Sequence, residues 1–272
     1  MLKRTLSGAV LVIIALISFR LGGYVLFGVT LFLSLLGMYE LFRAMQAEKT
    51  SQAIIGYIGL VVYYVTMLFE GSEQYFLPAF SVFLLVLMIS YVFTFPKRKS
   101  TIMFTVPFGL VYVGVFMSFI YRTRMLPGGV FLVWVILLGA WGSDTFAYLV
   151  GCSMGKHKAF PRLSPKKTWE GCVGGVLGAF LIGSVYGLCC AKHLPDFSPL
   201  PTWLVLGIVC ACSAVLSMFG DLTASAIKRD NNIKDYGKLI PGHGGVLDRF
   251  DSVLFTAPCV FYLIKVFLWY QA

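Results

Sequence analysis

Asp221, Ser225 and Lys228 in SMFGDLTASAIKRD recur at steps of four and three residues, so a helix carries them on one face. That face runs from a carboxylate through a hydroxyl to a cation, with Arg229 beside it. The next segment, KRDNNIKDYGKLIPGHGGVLDRFD, is far more polar than a link between two apolar stretches needs. It holds five cations, four carboxylates, a histidine and four glycines. Asp248 and Asp251 stand at i and i+3 where the next apolar stretch begins. Carboxylates on two helix ends offer the oxygen ligands that a hard cation such as Mg²⁺ takes. Lysines and arginines around them neutralise phosphates, and the glycines of PGHGG let backbone approach a ligand closely. Together these are the equipment of phosphoryl or nucleotidyl transfer. Asp251 has a competing use as the N-cap of the last helix.

Two earlier stretches extend the pattern. In AWGSDTFAYLVGCSMGKHKAF, Asp144 lies in an apolar run with no basic residue within a helical turn. A carboxylate at membrane depth costs several kcal/mol without a partner or a metal, so it marks a functional site by default. The plainer reading ties it to Ser143, Thr145 or a tyrosine as helix glue. In RLSPKKTWEGCVGG, Ser164, Lys166 and Lys167 precede Thr168 and a new apolar run. Lysines and a hydroxyl before a helix N-terminus make an anion site. The same residues also suit an ordinary basic loop leading into a capped helix. GxxxxGK[ST] is absent, so this is no P-loop.

The elements that must position these residues are membrane helices. Of 272 residues 58% are hydrophobic and 12% charged, and the mean hydropathy is +0.84. That charge is too sparse to cover a soluble protein of this length. The pattern predicts an all-α, polytopic bundle of about nine spans, near 5–19, 21–42, 52–69, 75–95, 102–121, 130–150, 171–191, 202–227 and 251–270, with eight the alternative. Residues 1–272 form one membrane domain, with apolar helices over 1–125 and the chemistry over 126–272. The opening MLKRTLSGAVLVIIALISF reads as a retained first helix, because no small-residue cleavage site comes after it. A net charge of +10 would suggest nucleic acid in a soluble chain; here it reflects basic cytoplasmic loops and excludes that partner. With the N-terminus inside, seventeen lysines and arginines fall on the cytoplasmic side and four opposite. The polar segments 151–170 and 228–250 then share the cytoplasmic face. The seven cysteines show no metal spacing and read as small buried hydrophobes.

Ser225-Ala-Ile-Lys228-Arg229, Lys234-Asp235, Pro241-Gly-His243-Gly-Gly and Asp248-Arg249-Phe-Asp251 together resemble the signature of the phosphatidate cytidylyltransferases, or CDP-diacylglycerol synthases, at 225–251. SDTFAY and SPKKTWEG resemble the same family. The resemblance implies a multi-pass, Mg²⁺-dependent nucleotidyltransferase of phospholipid biosynthesis. It would join CTP and phosphatidate into CDP-diacylglycerol and diphosphate, with a second monovalent cation such as K⁺. A homodimer in the bacterial inner membrane is implied as well. Carried onto this chain, Asp221, Asp248 and Asp144 are the metal and catalytic acids, with Lys228 and Arg229 beside them. Ser164, Lys166, Lys167, Ser225, His243, Gly244, Gly245 and Arg249 are the substrate-binding residues. A CTP-dependent lipid kinase acting on a polyprenol-type alcohol, or an ion-coupled transporter using Asp144 and Asp221, stays open on the residues alone.

Overall fold

A chain whose solvent is lipid must satisfy its backbone polar groups internally, and this one does so with helices. The computed structural model describes residues 2–69, 71–240, 242 and 244–269. Among them the helices are α1 (Leu2–Leu21), α2 (Gly23–Ala44), α3 (Ser51–Thr66), α4 (Phe76–Thr94), α5 (Ile102–Arg124), α6 (Gly129–Met154), α7 (Trp169–Cys190), α8 (Thr202–Asp230) and α9 (Leu247–Trp269). The all-α membrane bundle expected from composition is what forms. Seven of these helices are long and apolar enough to cross a membrane. The apolar part of α1, Val12–Leu21, and the 16-residue α3 are shorter, so the expected nine spans correspond to seven full-length ones and two short ones. A hairpin of β1 (Lys158–Phe160) and β2 (Ser164–Thr168) joins α6 to α7.

Packing is densest in the second half, where α7 lies between α6 and α8, and α8 packs on α9. Helices in lipid gain little from burying apolar surface, so close association depends on small residues. The buried face of α7 is Gly171, Gly175, Gly178, Ala179, Gly183, Ser184 and Gly187. A Cβ at Gly183 would lie 2.5 Å from the carbonyl oxygen of Leu206 on α8. The opposite face of α7 carries Val173, Leu177, Leu181, Val185 and Leu188, all exposed, as a lipid-facing ridge requires. In α4 only Phe83 and Leu87 are buried, which places that helix at the rim. The cysteines depart from expectation: all seven are free thiols, only Cys210 is buried, and Cys152, Cys189 and Cys212 are exposed. A thiol is only weakly polar, so lipid suits it as well as a core does.

Three local features set the position of the polar residues. Gly22, at φ +62°, breaks α1 from α2, and Arg124 donates to the carbonyl of Phe19 at 2.8 Å, covering the free end of α1. A π-helical stretch, Leu138–Gly142, interrupts α6 just before Ser143 and Asp144 and re-aims the last turns of that helix. α8, at 29 residues, is about 43 Å long and exceeds the roughly 30 Å hydrocarbon layer. The polar residues from Asp221 to Asp230 lie in its last turns, beyond the apolar stretch.

The α7–α8 contact should be intolerant of even a methyl group. Gly183→Ala is expected to cost about 2 kcal/mol and to lower the melting temperature in detergent. Gly28→Ala, where no atom lies within 4 Å of a new Cβ, should leave melting unchanged.

Candidate active site

Asp221 comes from α8, Asp144 from α6, and Asp248 and Asp251 from the first turns of α9. All four line one cavity of about 790 Å³. Close helix contacts bring them there. A Cβ at Gly220 would lie 2.6 Å from the carbonyl oxygen of Asp251, so α8 and α9 touch at the level of the acids. One at Gly175 would lie 2.9 Å from the carbonyl oxygen of Ser143, which holds α7 against α6 beside Asp144. Most of the remaining cavity wall is hydrocarbon, including Val12, Ile14 and Ala15 of α1 and Leu26, Val29 and Phe32 of α2. Arg249 stands at the polar end. The space is thus amphipathic, with charge at one end and oily walls along the other.

The hairpin supplies a cation. Lys167 Nζ lies 2.6 Å from Asp221 Oδ2. Its ammonium is covered from solvent and has no well-directed hydrogen bond among the described residues. Asp144 also feels the charge of Lys167 and of Asp221. Successive strand residues point to opposite sides. Lys166 is accordingly exposed on the other side of β2, so the two lysines paired in sequence are separated in space. Thr168 is a buried cap whose Oγ1 accepts from Gly171 N at 3.1 Å. Glu170, in the first turn of α7, holds His157, Nδ1 to Oε1 2.6 Å. The α7 N-terminus is therefore served by the chain's own groups, and Lys167 is the residue of that stretch that reaches the acids. Ser164 begins β2, half-buried.

Asp248 organises the loop before α9. Its Oδ1 takes Lys228 Nζ at 2.9 Å, and its Oδ2 accepts from Tyr236 N at 2.8 Å and Gly245 N at 2.9 Å. Its side chain is 5% exposed. Tyr236 donates its hydroxyl to the carbonyl of Ala224, and the Lys228 ammonium lies over its ring. Burial pushes the Tyr236 phenol above its ordinary pKa, so it stays protonated as a donor. Lys228 and Asp248, expected to meet phosphate and metal separately, are brought together as a pair. Asp248 Oδ1 keeps one lone-pair site beyond these bonds, whereas the two N–H donors fill Oδ2. Ser225 is half-buried on α8 and Arg229 is exposed at its end. Gly244 (φ +86°) and Gly245 form the turn into α9, while His243 lies outside the described residues.

Among the described residues Asp251 accepts from Ser252 N next to it, at 2.7 Å, and it shares the electrostatic surroundings of Asp221 and Asp144. It faces the cavity and does not serve as the N-cap of α9. No hydrogen bond among the described residues ties Asp144 to Ser143 or Thr145; Thr145 donates to Trp141 O instead. The reading of Asp144 as helix glue therefore has no contact to support it. Two residues outside the sequence motifs also reach the loop. Glu40 of α2 accepts from Val246 N and Leu247 N, and Arg43 donates to the carbonyl of Tyr236. The sequence reading missed Glu40, although an acid within an apolar run was a signal that could have found it; nothing local pointed to its partners.

The carboxylates offer hard oxygen donors, and covered polar atoms without hydrogen bonds (Lys167 Nζ, Ser143 Oγ, Ser217 Oγ) lie beside them in sequence or space. Among the described residues no three acidic, histidine or cysteine side chains close on a single point. Mg²⁺ is ordinarily held by one or two carboxylates with the rest from water and substrate phosphate, so this donor set fits it without a protein cage.

Residues 2–267 match the model of the cytidylyltransferase family. The chain is 30% identical over 251 residues to the phosphatidate cytidylyltransferase of Bacillus subtilis (strain 168), covering 88% of this chain and 89% of that protein. It is 32% identical over 265 residues to that of Staphylococcus aureus (strain COL), covering 94% and 95%. A Rickettsia bellii (strain RML369-C) phosphatidate cytidylyltransferase is 33% identical over 174 residues, 64% of this chain and 74% of the relative.

The Lys228–Asp248 pair gives a stability test. Lys228→Met leaves the Asp248 carboxylate covered and without its cation, and is expected to cost about 3 kcal/mol. Adding Asp248→Asn should recover part of that loss, a coupling read from thermal melts of the two single variants and the double.

Proposed function

The chain belongs to the cytidylyltransferase family, and on that premise we infer that it is a phosphatidate cytidylyltransferase, making CDP-diacylglycerol for phospholipid biosynthesis. The observation that carries this reading is the cavity with four carboxylates and Arg249 at one end and hydrocarbon walls along α1 and α2. A lipid phosphate fits such a space: its acyl chains lie against the wall while its headgroup meets the charged end.

A phosphate oxygen of phosphatidate attacks the α-phosphorus of CTP. The new oxygen–phosphorus bond forms as the bond to the β-phosphate breaks, and diphosphate leaves with that electron pair. The nucleophile is already an anion, so no strong base is needed. The barrier lies in bringing two polyanions together, and the chain meets it with fixed charge. Lys167 and Arg249 lie where they can neutralise phosphate beside the acids. The loop pinned by Asp248 and Tyr236 presents the backbone of Gly244 and Gly245 towards the nucleotide, with Ser225 and Arg229 on the end of α8. Asp221 and Asp144, with Asp251 facing them and Asp248 at the loop, would hold Mg²⁺. Mg²⁺ held there would supply Lewis-acid stabilisation of the phosphate charge. The same oxygen-rich set has donors left for a monovalent cation such as K⁺.

The protein is read as a multi-pass enzyme of the bacterial inner membrane, assembled as a homodimer, with its N-terminus and polar loops cytoplasmic. Lys167 binding Asp221 ties the hairpin to the end of α8 that also carries Lys228, so both polar segments occupy one end of the bundle. The basic excess at that end favours an inside location.

Three measurements bear on this reading. Purified protein incubated with labelled CTP, phosphatidate and Mg²⁺ should release diphosphate and CDP-diacylglycerol; release of CDP would point to a kinase instead. Asp221→Asn and Asp144→Asn should each lower kcat/KM about a hundredfold or more, whereas Lys167→Ala should lower it about ten- to a hundredfold. Lys166→Ala should stay near wild type, because its side chain points away. Cysteines placed at Lys158 and Lys234 in a cysteine-free background should both be labelled by an impermeant thiol reagent only from the cytoplasmic side; opposite labelling would separate the two halves of the site.

A further inference from the structure

Glu40 lies in the apolar helix α2, two hundred residues from the signature, and it is 4% exposed. An ionised side chain so placed is costly unless its oxygens are satisfied. They are satisfied by the catalytic loop: Oε1 accepts from Val246 N at 3.1 Å and Oε2 from Leu247 N at 2.9 Å. These N–H groups belong to the start of α9, where a helix has free donors and favours negative charge. The carboxylate also explains two glycines. A Cβ at Gly237 or at Gly245 would collide with Glu40 Oε1, so both glycines make room for this side chain.

One helical turn on, Arg43 donates to the carbonyl of Tyr236. The end of α2 thus grips the loop at two places, Tyr236 and Val246–Leu247. Between them, Asp248 binds Tyr236 N and Gly245 N from the inner side. Backbone held from both sides is fixed in position, and the next residues along the chain are Asp248, Arg249 and Asp251.

We propose that Glu40 is a positioning residue for the nucleotide: from α2 it fixes the glycine turn and first turn of α9 that receive the CTP phosphates. This rests on the cytidylyltransferase reading above. A merely structural role would lower the amount or melting temperature of folded enzyme and leave its substrate constants alone. A positioning role changes one substrate selectively.

The test compares purified wild-type, Glu40→Gln and Glu40→Asp enzyme in detergent. In Glu40→Gln, KM for CTP should rise about tenfold, the size of one charge-assisted hydrogen bond, with KM for phosphatidate within about twofold. Glu40→Asp, which keeps the charge but is shorter, should recover part of the CTP affinity. Without substrates, trypsin should cut at Lys234 and Lys238, both exposed on this loop, faster in Glu40→Gln than in wild type, as mapped by mass spectrometry of the fragments. An unchanged KM for CTP, an equal rise for both substrates, or unchanged cleavage overturns the proposal. If Glu40→Gln does not accumulate, Glu40→Asp decides on the same readouts, with smaller shifts expected. A wild-type protein that makes no CDP-diacylglycerol would sink the activity reading instead, and faster cleavage in the variant would still show that Glu40 holds the loop.

Discussion

Charge held against hydrocarbon is the constraint on which the rest of this structure depends. Four carboxylates face a space with oily walls, and each needs a cation, a backbone donor or a ligand. Of these, Asp248 uses Lys228 and two backbone N–H groups and Asp221 uses Lys167; Glu40, apart from that cavity's lining, uses the start of α9. These partners come from the hairpin, from α8 and from the loop, so the acids cannot be accommodated unless those elements meet at one end of the bundle. The glycines of α7 and Gly220 of α8 answer the same demand, since bulkier residues would hold the helices too far apart for the charges to share a cavity.

Much of this was legible in the sequence because membrane physics is strict. Apolar runs in lipid have one backbone solution, so the helices were readable from composition and length. The weakest points were α1 and α3, where a short apolar run says little about crossing. Acids in apolar surroundings were equally visible, and Asp144, Asp221, Asp248 and Asp251 do gather at one cavity. Spacing along the chain could not give the division of labour among them. Asp251, which could equally have capped its helix, faces the cavity, while Asp248 is largely engaged by the loop. Lys166 and Lys167, adjacent in sequence, separate because a short strand alternates its faces, and the helix-oriented reading of that stretch had no strand in it.

The long-range partners were the least legible. Glu40 meets Val246 and Leu247 across more than two hundred residues, and no local pattern encodes such a pairing. The first hundred residues read as plain apolar helices, yet α1 and α2 form the oily wall of the cavity and α2 grips the loop. The boundary drawn between an apolar half and a chemical half therefore describes where the unusual residues lie in the chain and not which helices build the site.

The oily wall has a kinetic consequence. Beside that wall on α1 the side chains of Ile13, Leu16 and Ile17 are exposed, as a helix placed against lipid requires. A lipid reaching the acids along that wall travels within one leaflet and never passes through water. Its encounter with the enzyme is then a two-dimensional search, in which the governing variable is the mole fraction of the lipid in the membrane. Adding inert phospholipid dilutes that reactant even when its amount per millilitre is unchanged, while CTP continues to obey its concentration in solution. One candidate site would thus sample two reactants in different dimensions, with the crowding and composition of the leaflet setting the supply of one of them.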